Sequence, residues 1–162
     1  VKVNCTIQLG ALLRGKNCRP FDSDMKLRIR RQGRTRFYYP DLQVICESNA
    51  PTEQFQDRPV LIIEVLSPST RQYDLDEKLN SYLEIASLEY YIILEQHIPQ
   101  AIVMRRTPQG FLRELYEGVE ATIALPLLDC SLALREIYEG VEFTATCVQE
   151  AEIEYETGPP VR

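Results

Sequence analysis

The sequence predicts one α/β domain built on a mixed central β-sheet with flanking helices. Three observations lead there. The 162 residues correspond to about one domain. The apolar run PVLIIEVLS at 59–67 is followed by a helix start and an amphipathic stretch, then by a second apolar run, EYYIILE at 89–95. Beyond residue 100, short strand patterns alternate with turn signals.

Residues 1–15 carry Val3, Ile7, Leu9, Ala11, Leu12 and Leu13 mostly at helical spacing, which predicts a helix ending near Gly15. NCRPFD at 17–22 reads as a short strand interrupted by Pro20. DMKLRIR at 24–30 alternates polar and apolar residues, the pattern of an amphipathic strand, and Gly33 supplies a hairpin turn. RFYYPDLQVIC at 36–46 is a strand that must bend or restart at Pro40. Residues 47–58 form a polar loop. PVLIIEVLS has the composition of the most buried strand. Ser69 and Gln72 stand at capping-box spacing, and the helix they open runs to about Ala86 with Leu75, Leu79, Tyr82, Leu83 and Ala86 as its apolar stripe. AIVMRR at 101–106, FLRELY at 111–116 and EATIAL at 120–125 read as strands, and SLALREIY at 131–138 as a last short helix stopped by Gly140. The expected domain covers residues 1–148, with an acidic, poorly ordered tail over 149–162. The chain opens on Val1 rather than Met, so an upstream segment is expected.

Several function classes fall away on composition. No apolar run approaches the roughly 20 residues that span a bilayer. The five cysteines show no C-x-x-C spacing and His97 has no histidine partner, which argues against a zinc site of usual spacing. His97 lies near Pro99 in a turn, so neither a Ser-His-Asp triad nor a Cys-His pair is expected to run through it. The odd cysteine count suggests free thiols in a reducing, cytoplasmic compartment.

Charge is unevenly distributed. Residues 1–36 hold ten Lys/Arg against two acids, whereas residues 37–162 hold eight against twenty-two. The basic block Lys26, Arg28, Arg30, Arg31, Arg34 and Arg36 could meet a phosphate backbone. It could equally protect a sheet edge from aggregation, and on charge alone that plainer reading weighs slightly more. The net charge of −6 disfavours tight, indiscriminate nucleic-acid binding while leaving room for a local basic groove.

One residue breaks the core strand. Glu64 lies inside Pro-Val-Leu-Ile-Ile-Glu-Val-Leu, where a carboxylate is costly to bury unless paired, protonated or metal-bound. Strand alternation puts Val60, Ile62, Glu64 and Leu66 on one face. Asp41 follows Pro40 at the start of DLQVIC, and if that strand pairs with the one bearing Glu64 the two carboxylates converge. On the following helix Asp74 and Lys78 are spaced i, i+4, and Tyr82 continues the row. Asp74 and Lys78 alone could be a surface ion pair of little value. Glu64 nevertheless needs a cation, and this helix packs back on its own strand. Two carboxylates and a lysine suit metal-assisted phosphodiester hydrolysis, with hard oxygens for Mg²⁺ or Mn²⁺ and an ammonium for the attacking water or the phosphate. On spacing alone, a structural buried ion pair is the commoner explanation.

The runs YYPDLQVIC, PVLIIEVLSPSTRQYDLDEKLNSY and EYYIILEQ together resemble the bacterial Uma-two family of restriction-endonuclease-like proteins, within the PD-(D/E)XK nuclease superfamily. The resemblance extends from CRPFDSDMKLRIR to LREIYEGVEF and covers roughly residues 3–143. It implies a restriction-endonuclease-like fold and a Mg²⁺-dependent DNA endonuclease, with DNA and a second copy in a homodimer as the implied partners. The PD motif falls on Pro40-Asp41, and the (D/E)-x-K motif starts at Glu64 but has Leu66 in the lysine position. In the family pattern a lysine on the next helix takes that place, here Lys78, with Asp74 at the acidic position one turn earlier. The implied roles are metal binding for Asp41 and Glu64, water positioning for Lys78, and orientation of Lys78 or a water-mediated metal contact for Asp74. Lys26, Arg28, Arg30, Arg34 and Arg36 would meet the nucleic acid. The family also carries an upstream glutamate near the site, for which this chain offers no residue. Two other readings compete: a catalytically silent binding module that keeps the fold, and a structural oligomer in which Glu64 and Lys78 only fix packing.

Overall fold

A computed structural model describes residues 1–31, 33–69 and 71–143, without the side chains of Arg31, Gln72 and Asp74. The acidic tail expected from residue 149 lies outside the described residues. The elements are α1 (Lys2–Leu12), β1 (Arg19–Asp22), β2 (Lys26–Arg31), β3 (Arg34–Tyr38), β4 (Leu42–Ile45), β5 (Phe55–Gln56) and β6 (Pro59–Val65). There follow α2 (Arg71–Tyr73), a π-helical segment (Asp74–Lys78), α3 (Leu79–Leu83), β7 (Tyr90–Leu94), β8 (Gln100–Thr107) and β9 (Gly110–Glu117). The last are β10 (Thr122–Leu125), a 3₁₀ turn (Pro126–Leu128), β11 (Cys130–Ala133) and α4 (Leu134–Ile137).

Six strands form the main sheet in the order β1-β4-β6-β7-β8-β9. Only β6 and β7 pair in parallel, because a helical crossover joins them; the remaining neighbours are antiparallel. β6 and β7 are covered on both faces, which is why they read as nearly continuous apolar runs rather than alternating ones. One face packs Leu61, Ile63, Ile92 and Val103 against Cys5 and Leu9 of α1 and Leu134 and Ile137 of α4. The other packs Ile62, Tyr91 and Ile93 against Tyr82, Ile85 and Leu88, and against Leu27, Ile29 and Tyr38 of the β2–β3 hairpin. Among the described residues no helix is long and apolar enough to cross a membrane.

The restart expected at Pro40 is present, and two other local readings need correction. The 36–46 run restarts at Pro40: β3 pairs with β2 in a smaller sheet and β4 joins the main sheet, so Pro40-Asp41 is the crossing between sheets. A proline supplies no ladder donor, and the chain changes sheet there. SLALREIY is only half helical, since Cys130–Ala133 pairs with Thr122–Leu125 before α4 begins. Alternating Ser-Leu-Ala-Leu fits a strand as well as a helix, and the partner strand decides.

The expectation of free thiols throughout is also overturned. Cys18 and Cys46 form a disulfide, while Cys5 and Cys130 are free. The antiparallel register that sets Arg19 opposite Ile45 brings Cys18 and Cys46 face to face one step further out. Their separation of 28 residues gives no hint of this without the topology. The compositional argument for a reducing compartment goes with it. By loop-closure entropy the bond should contribute about 2–4 kcal/mol. Thermal unfolding with and without dithiothreitol should therefore differ by several degrees, and the denatured protein should titrate two fewer thiols before reduction than after. Identical melting and equal thiol counts would contradict the bond.

Candidate active site at the carboxyl end of the central strand

The register of β4 against β6 pairs Leu42 with Ile63, so one step earlier Asp41 stands beside Glu64. Two backbone contacts lock this arrangement. The Val65 N–H donates to Asp41 Oδ2 at 2.9 Å, and the Asp41 N–H reaches Glu64 Oε2 at 3.4 Å. The proline before Asp41 ends the ladder there, which leaves the aspartate's own N–H and carboxylate to turn toward β6.

Glu64 is only 2 % exposed. Its Oε1 accepts from Lys78 Nζ and from the Tyr82 hydroxyl, both at 2.9 Å. The helix that delivers these donors is irregular. Between α2 and α3, Asp74–Lys78 has π geometry, and a π turn shifts the phase of everything after it relative to what comes before. Lys78 closes that segment with its side chain 14 % exposed, and Tyr82 follows one α-turn later, fully buried. Tyr82 in turn stacks edge-on with Tyr38 at 5.5 Å and Tyr91 at 5.3 Å. Its ring is core and its hydroxyl belongs to the site. Leu66, in the position the superfamily gives to lysine, is buried in the core beside it.

Burial pushes the Glu64 carboxyl up to about 7. The Lys78 ammonium pulls against this by charge and by hydrogen bond, neighbouring Asp41 pushes further up, and the Tyr82 hydroxyl pulls back.

The sequence-expected residues are placed as follows. Asp41, Glu64 and Lys78 meet at one point. The Asp74 backbone lies in the π segment, but its side chain is outside the described residues, as is that of Gln72 in the expected capping box. The basic residues lie on the β2–β3 hairpin. Lys26, Arg28 and Arg30 alternate with buried Leu27 and Ile29, so they point away from the core. Arg28 is committed to Asp57, its Nε donating at 3.1 Å, and lies 3.8 Å over the Phe55 ring. Arg36 bonds Glu77 of the π segment at 3.0 Å. Arg30 and Arg34 are exposed. Two contributors were not expected from sequence as members of the site: the Tyr82 hydroxyl, which the i+4 row through Lys78 does point to, and Lys2 of α1, whose Nζ lies 3.1 Å from Asp41 Oδ1.

Among the described residues no group of three or more His, Cys, Asp or Glu is arranged to hold a metal ion. The carboxylate pair still suits a hard divalent cation. Mg²⁺ commonly takes one or two carboxylates and keeps several waters. A buried carboxyl lifted toward neutrality chiefly by burial, with a second carboxylate beside it, gains from such a charge.

A strand-end carboxylate pair beside a helix-borne lysine, on a mixed sheet, points to a class: a protein built like a nuclease. Comparison with known proteins agrees. The chain belongs to the Uma2 family, described as "Putative restriction endonuclease", which it matches over residues 1–136. It is 37% identical over 79 residues to the uncharacterized protein sll1609 of Synechocystis sp., and 34% identical over 83 residues to slr1290 of the same organism. These matches cover 47% and 51% of this chain but 44% and 43% of the relatives, so the chain spans under half the length of the curated relatives it matches. Its fold resembles the crystal structure of "a putative nuclease belonging to DUF820" from Anabaena variabilis, with a TM-score of 0.68 and 18% identity over 85% of this chain and 78% of that one.

The buried glutamate makes a pH prediction. Its folded pKa of about 7 lies above the ordinary carboxylate value of 4.5, so between these values the folded state binds the proton more tightly than the unfolded state. Stability is lost as pH rises through that window. In metal-free buffer Glu64→Gln should therefore gain stability relative to wild type between pH 5 and 8, by roughly 1–3 kcal/mol. A pH-independent difference in chemical denaturation would refute the shift.

Proposed function

We propose that this protein is a divalent-metal-dependent endonuclease that hydrolyses phosphodiester bonds of DNA. The observation that carries the reading is the Lys78 ammonium, held 2.9 Å from a buried Glu64 that stands beside Asp41. Asp41 and Glu64 would hold Mg²⁺ or Mn²⁺. When bound, such an ion lowers the pKa of an attacking water and offsets the charge that grows at phosphorus. Asp41 stays aimed because the Val65 N–H holds one of its oxygens. Glu64 stays aimed because the Tyr82 hydroxyl holds Oε1 within the aromatic cluster. Lys78 orients the nucleophile or neutralises the phosphate. Asp74, by family pattern, orients Lys78 or reaches the metal through water.

Arg30 and Arg34, exposed on the hairpin, together with Lys26, would meet the phosphate backbone without reading sequence. Arg28 and Arg36 would serve the same surface, but each already has a carboxylate partner and contributes less free charge. The proposal extends to a homodimer, on family resemblance alone.

A second reading has its own support. Glu64 already has two donors in the resting protein, as in a buried ion pair that only fixes packing within a silent nucleic-acid-binding module. Plasmid cleavage separates the two. With Mg²⁺ or Mn²⁺ the wild type should nick or linearise DNA, and Asp41→Asn, Glu64→Gln and Lys78→Ala should each lose roughly 10²-fold or more. Equal cutting by wild type and all three variants would assign the activity to a contaminant and favour the silent module.

A further inference from the structure

The mechanism above leaves one cation at the site unused. Lys2 Nζ lies 3.1 Å from Asp41 Oδ1 and donates to Ser23 Oγ at 2.8 Å. Lys2 lies on α1. Cys5 and Leu9, one and two turns further on, are buried against the sheet and fix that helix end over Asp41.

The oxygens of the carboxylate pair are unequally occupied. Asp41 Oδ2 takes the Val65 N–H, and Glu64 Oε1 takes Lys78 and Tyr82. Among the described residues Glu64 Oε2 has only the long 3.4 Å contact from the Asp41 N–H. Asp41 Oδ1 is therefore the aspartate oxygen best placed for a divalent ion, and Lys2 sits on it. Two charges cannot both hold that oxygen without repelling each other. The Lys2 side chain is 38 % exposed, more open than the 14 % of Lys78, so it can swing outward while Lys78 stays.

We propose that Lys2 is a positioning residue that couples metal loading to substrate: it neutralises Asp41 at rest and moves onto a substrate phosphate when a divalent ion takes Asp41. This rests on the metal-dependent nuclease reading above. Exchanging a carboxylate for a phosphate keeps the ammonium paired throughout. Without a phosphate, metal binding must leave Lys2 unpaired beside a new positive charge, so metal and nucleic acid strengthen each other's binding.

The test is Mn²⁺ binding followed by the electron paramagnetic resonance of the free ion, with and without a short phosphorothioate-backbone DNA duplex. Wild type should bind Mn²⁺ several-fold more tightly with the duplex. Lys2→Met should bind Mn²⁺ several-fold more tightly than wild type without the duplex and gain little from adding it. Lys2→Arg, which keeps the charge and guards against a misfolded variant, should behave like wild type. The proposal falls if Lys2→Met matches wild type in both states, or if it tightens Mn²⁺ but keeps the full duplex effect. If Asp41→Asn also binds Mn²⁺ as wild type does, the metal reading falls with it; if only Asp41→Asn weakens binding, the metal reading stands and the role of Lys2 is lost.

Discussion

A carboxylate in the middle of the central sheet is the constraint on which this structure depends. Taking Glu64 out of water costs several kcal/mol unless donors meet it inside. Its neighbours on β6 cannot help, since Ile62 and Leu66 share its face and are apolar. The donors must come from the crossover helix, and that fixes where the helix starts and how it is phased. The π segment belongs to this requirement. It adds a residue to one turn, rotating α3 by about 100° relative to α2. With that rotation Lys78 and Tyr82, spaced one α-turn apart, both reach the same oxygen. The Tyr38–Tyr82–Tyr91 cluster then holds the hydroxyl in place, and the Tyr38 hydroxyl bonds Ser81 at 2.9 Å on the same helix.

The second constraint is the crossing at Pro40-Asp41. The hairpin of β2 and β3 closes one side of the core that holds Ile62, Tyr82 and Tyr91, and β4 extends the main sheet. A chain that changes sheets must leave one ladder before joining the other. Asp41 sits in that gap, so its backbone N–H and side chain are available to β6 instead of being spent on a strand partner. The hairpin thereby brings one arginine close to the site: Arg36 reaches Glu77, one residue before Lys78.

Much of this was legible in the chain. A lone acid in a strand of branched aliphatics marked Glu64, a proline before an aspartate marked Asp41, and a row at helical spacing marked Lys78 with Tyr82 behind it. The alternation of PVLIIEVL also placed Leu66 correctly on the buried face. What sequence hid were relations that exist only after folding. Tyr82 fits an apolar stripe, and nothing local says that its hydroxyl will find an acid. Lys2 lies 39 positions before Asp41 in a segment with no charge pattern of its own, and only the docking of α1 across the sheet joins them. The Cys18–Cys46 bond follows from the β1–β4 register, and Cys130–Ala133 became a strand because β10 offers it a partner.

A packing device would need less than the site contains. Fixing the crossover helix takes one buried pair, and replacing such a pair with apolar residues is often neutral or stabilising. Here five polar side chains from separate parts of the chain meet at the carboxyl end of β6: Lys2, Asp41, Glu64, Lys78 and Tyr82. Two are acids set side by side, and Asp41 adds to the upward push that burial exerts on Glu64. Asp41 holds the Val65 N–H and pairs with Lys2, but beside Glu64 it also adds repulsion. A bound cation would remove that repulsion and the proton together. A second acid beside the Glu64–Lys78 pair is what supports the proposed catalytic centre over a purely structural pair.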